Sequence, residues 1–199
     1  DYPTQALKIP KIGDWTNPDI EKIKELAPDL ILTSTVVQDF IAEKMKKEKL
    51  PVAHIAPRKL GDVLGSIEKI GELVNKKEEA KGIVKEMLFK FQEIRGNAET
   101  LNYQPRVYIE EWHSPPMISG NWVPEVAEIA GATYGLVKAG VYSKGFKLEE
   151  IQEFDPEIII LSICGLKDRV NKDIVKKRKG WQKLSAGKNN QIHVFDDSF

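Results

Sequence analysis

Apolar positions in the first sixty residues follow helical and strand spacing in turn. In NPDIEKIKELA, Ile20 and Ile23 keep helical spacing. Asn17 is the predicted helix cap and Pro18 takes the first helical position, where its missing N–H costs nothing. The run DLILTS predicts a short buried strand, VVQDFIAEKMKKEKL a second helix, and PVAHIA a second strand. The predicted order is helix, strand, helix, strand.

The chain repeats this pattern in its last third. EKIKELAPDLIL, which begins at Glu21, aligns without a gap with EEIQEFDPEIII, which begins at Glu149. The second copy continues in the same order, with LEEIQEF as a helix, EIIILSIC as a strand, VNKDIVKKRKGWQKL as mostly helix and QIHVF as a strand. Such alternation is typical of parallel sheets with right-handed crossovers. We therefore predict an α/β protein with two Rossmann-like lobes of similar plan.

A long amphipathic segment separates the two copies. Its apolar stripe slips in phase at NKKEE, which predicts a shorter helix, a kink near Asn75 and a long helix from about Lys77 to Thr100. A helix of that length spans roughly 36 Å. Because the segment is not rich in Gly, Ser or Pro, it is expected to act as a stiff backbone helix that joins the lobes.

The two lobes differ at their starts. The C-terminal lobe opens with an additional strand, RVYIEEW, and an additional helix, WVPEVAEIAGA, which the N-terminal lobe lacks. We therefore expect the N-terminal lobe to be truncated, with a strand and a helix belonging before Asp1. The predicted division is a partial N-terminal lobe over 1–60, connecting helices over 61–102 and a C-terminal lobe over 103–199.

Bulk composition narrows the possible partners. The 199 residues carry 30 Lys plus Arg and 30 Asp plus Glu, so the formal net charge is zero. A neutral chain gives no whole-molecule case for binding nucleic acid or an acidic membrane surface. No apolar run approaches the length that spans a bilayer. The basic run KKRKGWQK is interpreted as a solvated helix face, because no other basic cluster joins it.

Several long motifs, in order, resemble the helical-backbone substrate-binding proteins of ABC importers. They are DYP, KIGDWTNPDIEKIKELAPDLIL, RVYIEEWHSPPMISGNW, LEEIQEFDPEIIILSICG and IHVFDDS. Within that family the cobalamin-binding branch is the nearest, since it pairs DYP with a Trp-bearing loop before the first glutamate helix. The resemblance implies a protein outside the cytoplasmic membrane, secreted or lipid-anchored, that captures cobalamin or another corrinoid and delivers it to a permease dimer. It implies no catalysis, no cofactor and no membrane-spanning segment.

The candidate ligand contacts are aromatic and loop residues near the carboxyl ends of predicted strands, where open parallel sheets bind their ligands. They are Tyr2, Trp15, Trp112, His113, Ser119, Gly120, Asn121, Trp122 and Tyr142. Aromatic faces suit a large planar ring, and the N–H groups over 119–121 suit an anionic group at a helix start. The alternative is that the aromatic residues plug core edges and that the loop is only a helix cap.

Glu21 and Glu149 occupy matching positions in the repeated helix. An acid in the first helical turn is favoured by the helix dipole, which explains each one separately. In the family that the chain resembles, these two positions carry the glutamates that dock on arginines of the dimeric permease. One matched acid per lobe also fits a receptor with twofold symmetry.

Two rival functions stay open. The first keeps the fold and changes the cargo to haem or an iron-siderophore. The second is a metallocofactor-handling enzyme that uses Cys164 as nucleophile and His113 as base, although no supporting motif accompanies them. The three histidines lack metal-ligand spacing, so no bare-metal site is predicted, and His54 and His193 are expected inside strands.

Overall fold

The computed structural model describes residues 4–166 and 169–196. The helices are α1 (Ile20–Leu26), α2 (Asp39–Lys47), α3 (Leu60–Leu73), α4 (Lys77–Glu99), α5 (Val123–Ile129), α6 (Leu148–Phe154), α7 (Asp173–Lys177) and α8 (Ser185–Lys188). The strands are β1 (Ile31–Ser34), β2 (Val52–Ile55), β3 (Val107–His113), β4 (Pro116–Ile118), β5 (Ile158–Leu161) and β6 (Ile192–Val194). The chain divides into two compact units, the first ending at Ala56 and the second starting at Pro57.

The first unit has a parallel two-stranded sheet. Strands β1 and β2 pair from Ile31 opposite Val52 to Ser34 opposite Ile55, as the predicted helix–strand alternation requires. The predicted cap of α1 is wrong: Asp19, and not Asn17, accepts the N–H of Lys22 and starts the helix. Because Asp19 carries the capping carboxylate, Pro18 falls before the helix and not at its first position.

The second unit has a four-stranded sheet in the order β4-β3-β5-β6. Strands β3, β5 and β6 are parallel, whereas β4 forms an antiparallel hairpin with β3 that the sequence pattern did not predict. The core of this unit includes Tyr108, Ile118, Ile159, Leu161, Val175, Trp181, Leu184 and Ile192. The Tyr108 and Trp181 rings meet edge to face, with centroids 5.3 Å apart.

The predicted kink and long helix are confirmed. Asn75 has a φ of 57° in the short connection between α3 and α4, and α4 runs for 23 residues. Small residues let α4 pack closely at both ends. A Cβ added to Gly71 of α3 would come within 2.3 Å of the Ala80 Cβ, and one added to Gly131 within 2.9 Å of the Ala98 Cβ.

The sequence repeat is also a structural repeat. Helices α1 and α6 have seven residues each, and each buries its central isoleucine, Ile23 or Ile151. Each helix ends at a non-glycine residue with a φ of 44°, Ala27 or Asp155, immediately before a proline. The two lobes therefore share a local backbone path as well as an element order.

Over residues 4–166 and 169–196, no helix combines the length and the apolar character needed to cross a bilayer.

Candidate functional site

In the first unit, Trp15 is tied to the carboxyl end of β1. The backbone N–H of Ser34, the last residue of β1, donates to Gln38 Oε1 over 2.7 Å. Gln38 Nε2 in turn donates to the backbone oxygen of Trp15, also over 2.7 Å. The Trp15 indole is 61% exposed, so the clamp fixes the loop and leaves the ring facing solvent.

The loop that carries Trp15 is also ordered from within. Asp14 Oδ1 accepts the backbone N–H groups of Thr16, at 2.8 Å, and Asn17, at 2.7 Å. Hydrogen bonds from the Thr16 side chain and from these N–H groups lower the pKa of Asp14 to about 2. The carboxylate therefore stays ionised at any physiological pH and keeps the turn closed.

His54 lies in β2, the strand paired with β1. Its Nδ1 is 2.8 Å from the hydroxyl oxygen of buried Thr33 in β1. Its Nε2 is 2.8 Å from Asp39 Oδ1 at the start of α2, without the alignment of a hydrogen bond. His54 thus connects the sheet to Asp39, the residue that follows Gln38.

In the second unit, Trp112 and His113 form the carboxyl end of β3. They pair with Met117 and Pro116 of β4. The Trp112 indole N–H donates to the backbone oxygen of Ser114 over 3.0 Å, and 46% of the residue is exposed. The Trp112 and His113 rings are 5.9 Å apart and tilted by 34°. No hydrogen bond from the described chain reaches His113 Nδ1.

A buried ion pair holds this end of β3. Arg178 Nη1 lies 2.5 Å from Glu110 Oε2, and Nη2 lies 2.7 Å from Oε1. Nη2 also donates to the backbone oxygen of His113 over 3.1 Å, and the guanidinium lies 4.7 Å from the centroid of the Trp181 ring. Because Glu110 is fully buried, the pair locks the backbone that presents Trp112 and His113.

Sequence reasoning missed this pair. It placed Arg178 in the solvated basic run KKRKGWQK, whereas the structure buries most of its side chain against Glu110. The signal that could have found it is Glu110 itself, an acid in the apolar strand RVYIEEW. A buried carboxylate needs a cation nearby, and a later run of basic residues supplies one.

Glu111 and Cys164 lie beside the same strand end. Burial raises the pKa of Glu111, and a hydrogen bond from Ser143 opposes the rise. The backbone N–H of Cys164 donates to the backbone oxygen of Glu111 over 3.2 Å. The Cys164 residue is exposed.

The loop over 119–121 packs on the chain and does not present its N–H groups as a cradle. These groups donate to the Ile109 oxygen at 2.8 Å, the Ser143 hydroxyl at 2.9 Å and the Val141 oxygen at 2.6 Å. A Cβ on Gly120 would lie 2.3 Å from the Val141 oxygen. The expectation of free N–H groups from Ser119, Gly120 and Asn121 is therefore not met.

The backbone of Tyr142 lies alongside Gly120, since a Cβ on Gly120 would come within 2.6 Å of the Tyr142 carbonyl carbon. The Arg58 guanidinium carbon is 3.1 Å from the centroid of its ring, and Arg58 Nη2 donates to the Gly140 oxygen over 2.5 Å. Trp122, half-buried, precedes the first residue of α5. Tyr2 lies outside the described residues.

The two repeated glutamates are both exposed in the first turn of their helices. Glu21 Oε1 forms an ion pair with Lys24 at 2.9 Å, and this contact contributes most to a raised pKa of Lys24. Within residues 4–166 and 169–196, Glu149 has no ion pair. In those same ranges, no three His, Cys, Asp or Glu side chains gather as a metal site would require.

Comparison with known proteins places this architecture. The family model described as periplasmic binding protein matches residues 1–198. The chain is 26% identical over 203 residues to the uncharacterized ABC transporter substrate-binding lipoprotein YvrC of Bacillus subtilis, covering 98% of this chain and 63% of YvrC. It is 24% identical over 201 residues to the high-affinity heme uptake system protein IsdE of Staphylococcus aureus, covering 98% of this chain and 68% of IsdE. The chain thus spans about two-thirds of the length of these relatives.

Solved structures agree with this placement. The structure of S. aureus IsdE complexed with heme matches with a TM-score of 0.84 at 21% identity, covering 98% of this chain and 79% of IsdE. The periplasmic vitamin B12 binding protein BtuF of Vibrio cholerae matches with a TM-score of 0.74 at 21% identity, covering 98% of this chain and 75% of BtuF. At these identities the likeness concerns the fold, and it confirms the predicted two-lobed α/β class. The chain belongs to the periplasmic binding protein family, as the motifs along its length predicted.

Proposed function

We propose that this chain is the substrate-binding component of an ABC importer, acting outside the cytoplasmic membrane, and that its cargo is a bulky metal complex, a corrinoid such as cobalamin. The observation that carries the proposal is an exposed indole at the carboxyl end of the parallel strands in each unit, Trp15 and Trp112. Ligands of open parallel sheets bind beyond these ends. Membership of the periplasmic binding protein family and the naming of YvrC as an ABC transporter lipoprotein support the transport role.

The backbone that carries each indole is held in place by hydrogen bonds. The backbone of Trp15 is clamped by Gln38, and the strand end beneath Trp112 is fixed by the Glu110–Arg178 pair. A ring surface that is already ordered loses little conformational entropy when a flat ligand stacks on it. Capture then involves no covalent step and depends on apolar area and ring stacking.

Delivery uses the repeated acids. Glu21 and Glu149 would meet arginines of a dimeric permease, one acid from each unit. Charge-assisted pairs of this kind steer a reversible encounter. The exposure of both side chains on short helices of matching structure supports this role.

Haem is the second candidate cargo. His113 lies beside Trp112, and its Nδ1 has no partner in the described chain. Histidine is a common axial ligand of haem iron, although the buried Nδ1 would not itself reach a ligand, so Nε2 is the atom that would bind. The relative IsdE is named for heme uptake, and BtuF for vitamin B12, so the relatives fit both cargoes.

Tryptophan fluorescence with cyanocobalamin, haem and a hydroxamate siderophore tests the proposal. The corrinoid is expected to quench fluorescence saturably, and Trp15→Ala or Trp112→Ala is expected to weaken its binding by about 2- to 12-fold through lost stacking alone. Phe89→Ala, which removes a 69% exposed ring from α4, is the control and should leave binding unchanged. If none of the three ligands changes the tryptophan fluorescence, capture of a metal complex is refuted.

The two alternative functions, haem binding and enzymatic activity, predict different results in the same assay. If haem is the cargo, its Soret band should shift on binding, and His113→Ala should abolish that shift. A Cys164→Ser variant should bind every ligand as the parent chain does. If the parent chain converts a bound complex chemically and Cys164→Ser does not, the protein is an enzyme and not a receptor.

The docking role has its own test. Reversing the charge with Glu21→Lys and Glu149→Lys should preserve ligand binding and abolish stimulation of the importer's ATPase activity. Glu25→Lys with Glu153→Lys is the matched control, since these exposed acids lie one turn later on the same helices. Equal loss in both double variants would indicate a general charge effect and would refute specific docking at the first turn.

A further inference from the structure

A lysine-rich surface flanks the helix that carries Glu149. The segment 172–188 contains six lysines, all exposed, and a single acid, Asp173. The lysines are Lys172, Lys176, Lys177, Lys179, Lys183 and Lys188. Within residues 4–166 and 169–196, none of the six forms an ion pair. Some lysines of α1 and α4 differ in this respect, since Lys24, Lys81 and Lys90 each have a carboxylate within 2.9 Å.

The segment lies against α6. A Cβ on Gly180 would come within 2.6 Å of Leu148 Cδ2 and 3.3 Å of Gln152 Nε2. Gly180 therefore contacts the same helix as Glu149, and Lys179 is its chain neighbour. A permease that receives Glu149 would bring the surrounding membrane close to these lysines.

We propose that this lysine-rich surface, residues 172–188, binds the anionic phospholipid headgroups of the membrane around the permease. The proposal rests on the proposed transport function. Because the whole chain is neutral, it is not attracted to the membrane as a body. A local excess of lysine over acid within residues 172–188, where no lysine forms an ion pair with the described residues, instead orients one face of the second unit toward the anionic surface.

The chemistry favours a lipid surface over a single anion. The lysines are spread from the residue before α7 to the end of α8, and in the part of the chain that the structure describes no buried polar side chain gathers them around one point. Lysine is a strongly hydrated point charge on a flexible stem, which suits many loose headgroup contacts. Each lysine near an anionic surface is expected to strengthen binding about fivefold.

Co-sedimentation with vesicles tests the proposal without ligand or permease. The chain should bind vesicles of 30% phosphatidylglycerol in phosphatidylcholine at millimolar lipid and low salt, and it should not bind pure phosphatidylcholine. Replacing Lys176, Lys177, Lys179 and Lys183 by glutamine should weaken binding several hundred-fold, to below detection. Replacing Lys77, Lys81, Lys85 and Lys90 of α4 by glutamine changes the net charge equally and should leave binding within about fivefold of the parent.

Two outcomes would overturn the proposal: binding that does not depend on phosphatidylglycerol, or equal loss in both quadruple variants. Circular dichroism melting of both variants separates lost binding from lost folding. Failure here leaves the ligand titration untouched, because that assay contains no lipid. If vesicle binding holds while no metal complex binds, the proposed cargo fails and the membrane surface stands.

Discussion

Breaking the buried Glu110–Arg178 pair should strongly destabilise the second unit. Arg178→Met keeps a long apolar stem but leaves a fully buried carboxylate without its cation. Removing one partner of a buried pair typically costs about 3–5 kcal/mol. For a chain of this size, that loss lowers the melting temperature by roughly 10 °C. The variant also loses the hydrogen bond to the backbone oxygen of His113.

The double variant Glu110→Leu with Arg178→Met isolates the electrostatic origin of this effect. It removes the carboxylate that the single variant strands, so most of the lost stability should return. Urea unfolding followed by the tryptophan fluorescence of the chain, to which Trp181 beside the guanidinium contributes, measures both variants. Lys179→Met, an exposed neighbour, is the control and should change stability by less than about 0.5 kcal/mol. An equally unstable single and double variant would refute the reasoning and assign the effect to packing.

Three further outcomes follow from local geometry. Gly71→Ala should destabilise the α3–α4 contact by about 1–3 kcal/mol in the same urea titration, because its Cβ would approach the Ala80 Cβ to 2.3 Å. Gly65→Ala is the control: a Cβ at this position has no heavy atom within 4 Å, so the substitution should stabilise α3 by up to about 1 kcal/mol. Since burial raises the pKa of Glu111, ionising this carboxyl should cost stability as pH rises above about 4.5, and Glu111→Gln should melt higher than the parent at pH 7.5 but not at pH 4. Gln38→Ala removes two hydrogen bonds from the Trp15 clamp and should weaken ligand quenching about fivefold, whereas unchanged affinity would show that the clamp does not order Trp15 for binding.

The elements that the sequence predicted well are those with a complete local signal. Ile23 and Ile151 mark matched helices because each is followed by a left-handed residue, a proline and an apolar strand. Asn75 marked the break between α3 and α4 because the apolar stripe changes phase there, and asparagine tolerates a positive φ. In both cases short-range sterics decide the structure, so the chain could be interpreted from neighbouring residues.

Contacts between distant residues were harder to predict. Arg178 and Glu110 are far apart in the chain, and the residues around each one carry no signal that identifies its partner. The cap of α1 was misplaced because Asn17 and Asp19 are both good caps and the choice depends on Asp14, which already holds the Asn17 N–H. The N–H groups over 119–121 are occupied because the segment 141–143 folds back over them. Such pairings follow from topology, which local periodicity does not encode.

The way the Trp15 loop is attached has a consequence for substitutions at this position. Among the described residues, the hydrogen bonds that anchor this loop are made by main-chain atoms and by polar side chains such as Asp14 and Gln38, and none involves the indole. The side chain at position 15 is therefore not needed to hold the loop in its conformation. A different side chain at position 15 would change the exposed surface of the loop without removing a hydrogen bond that holds it.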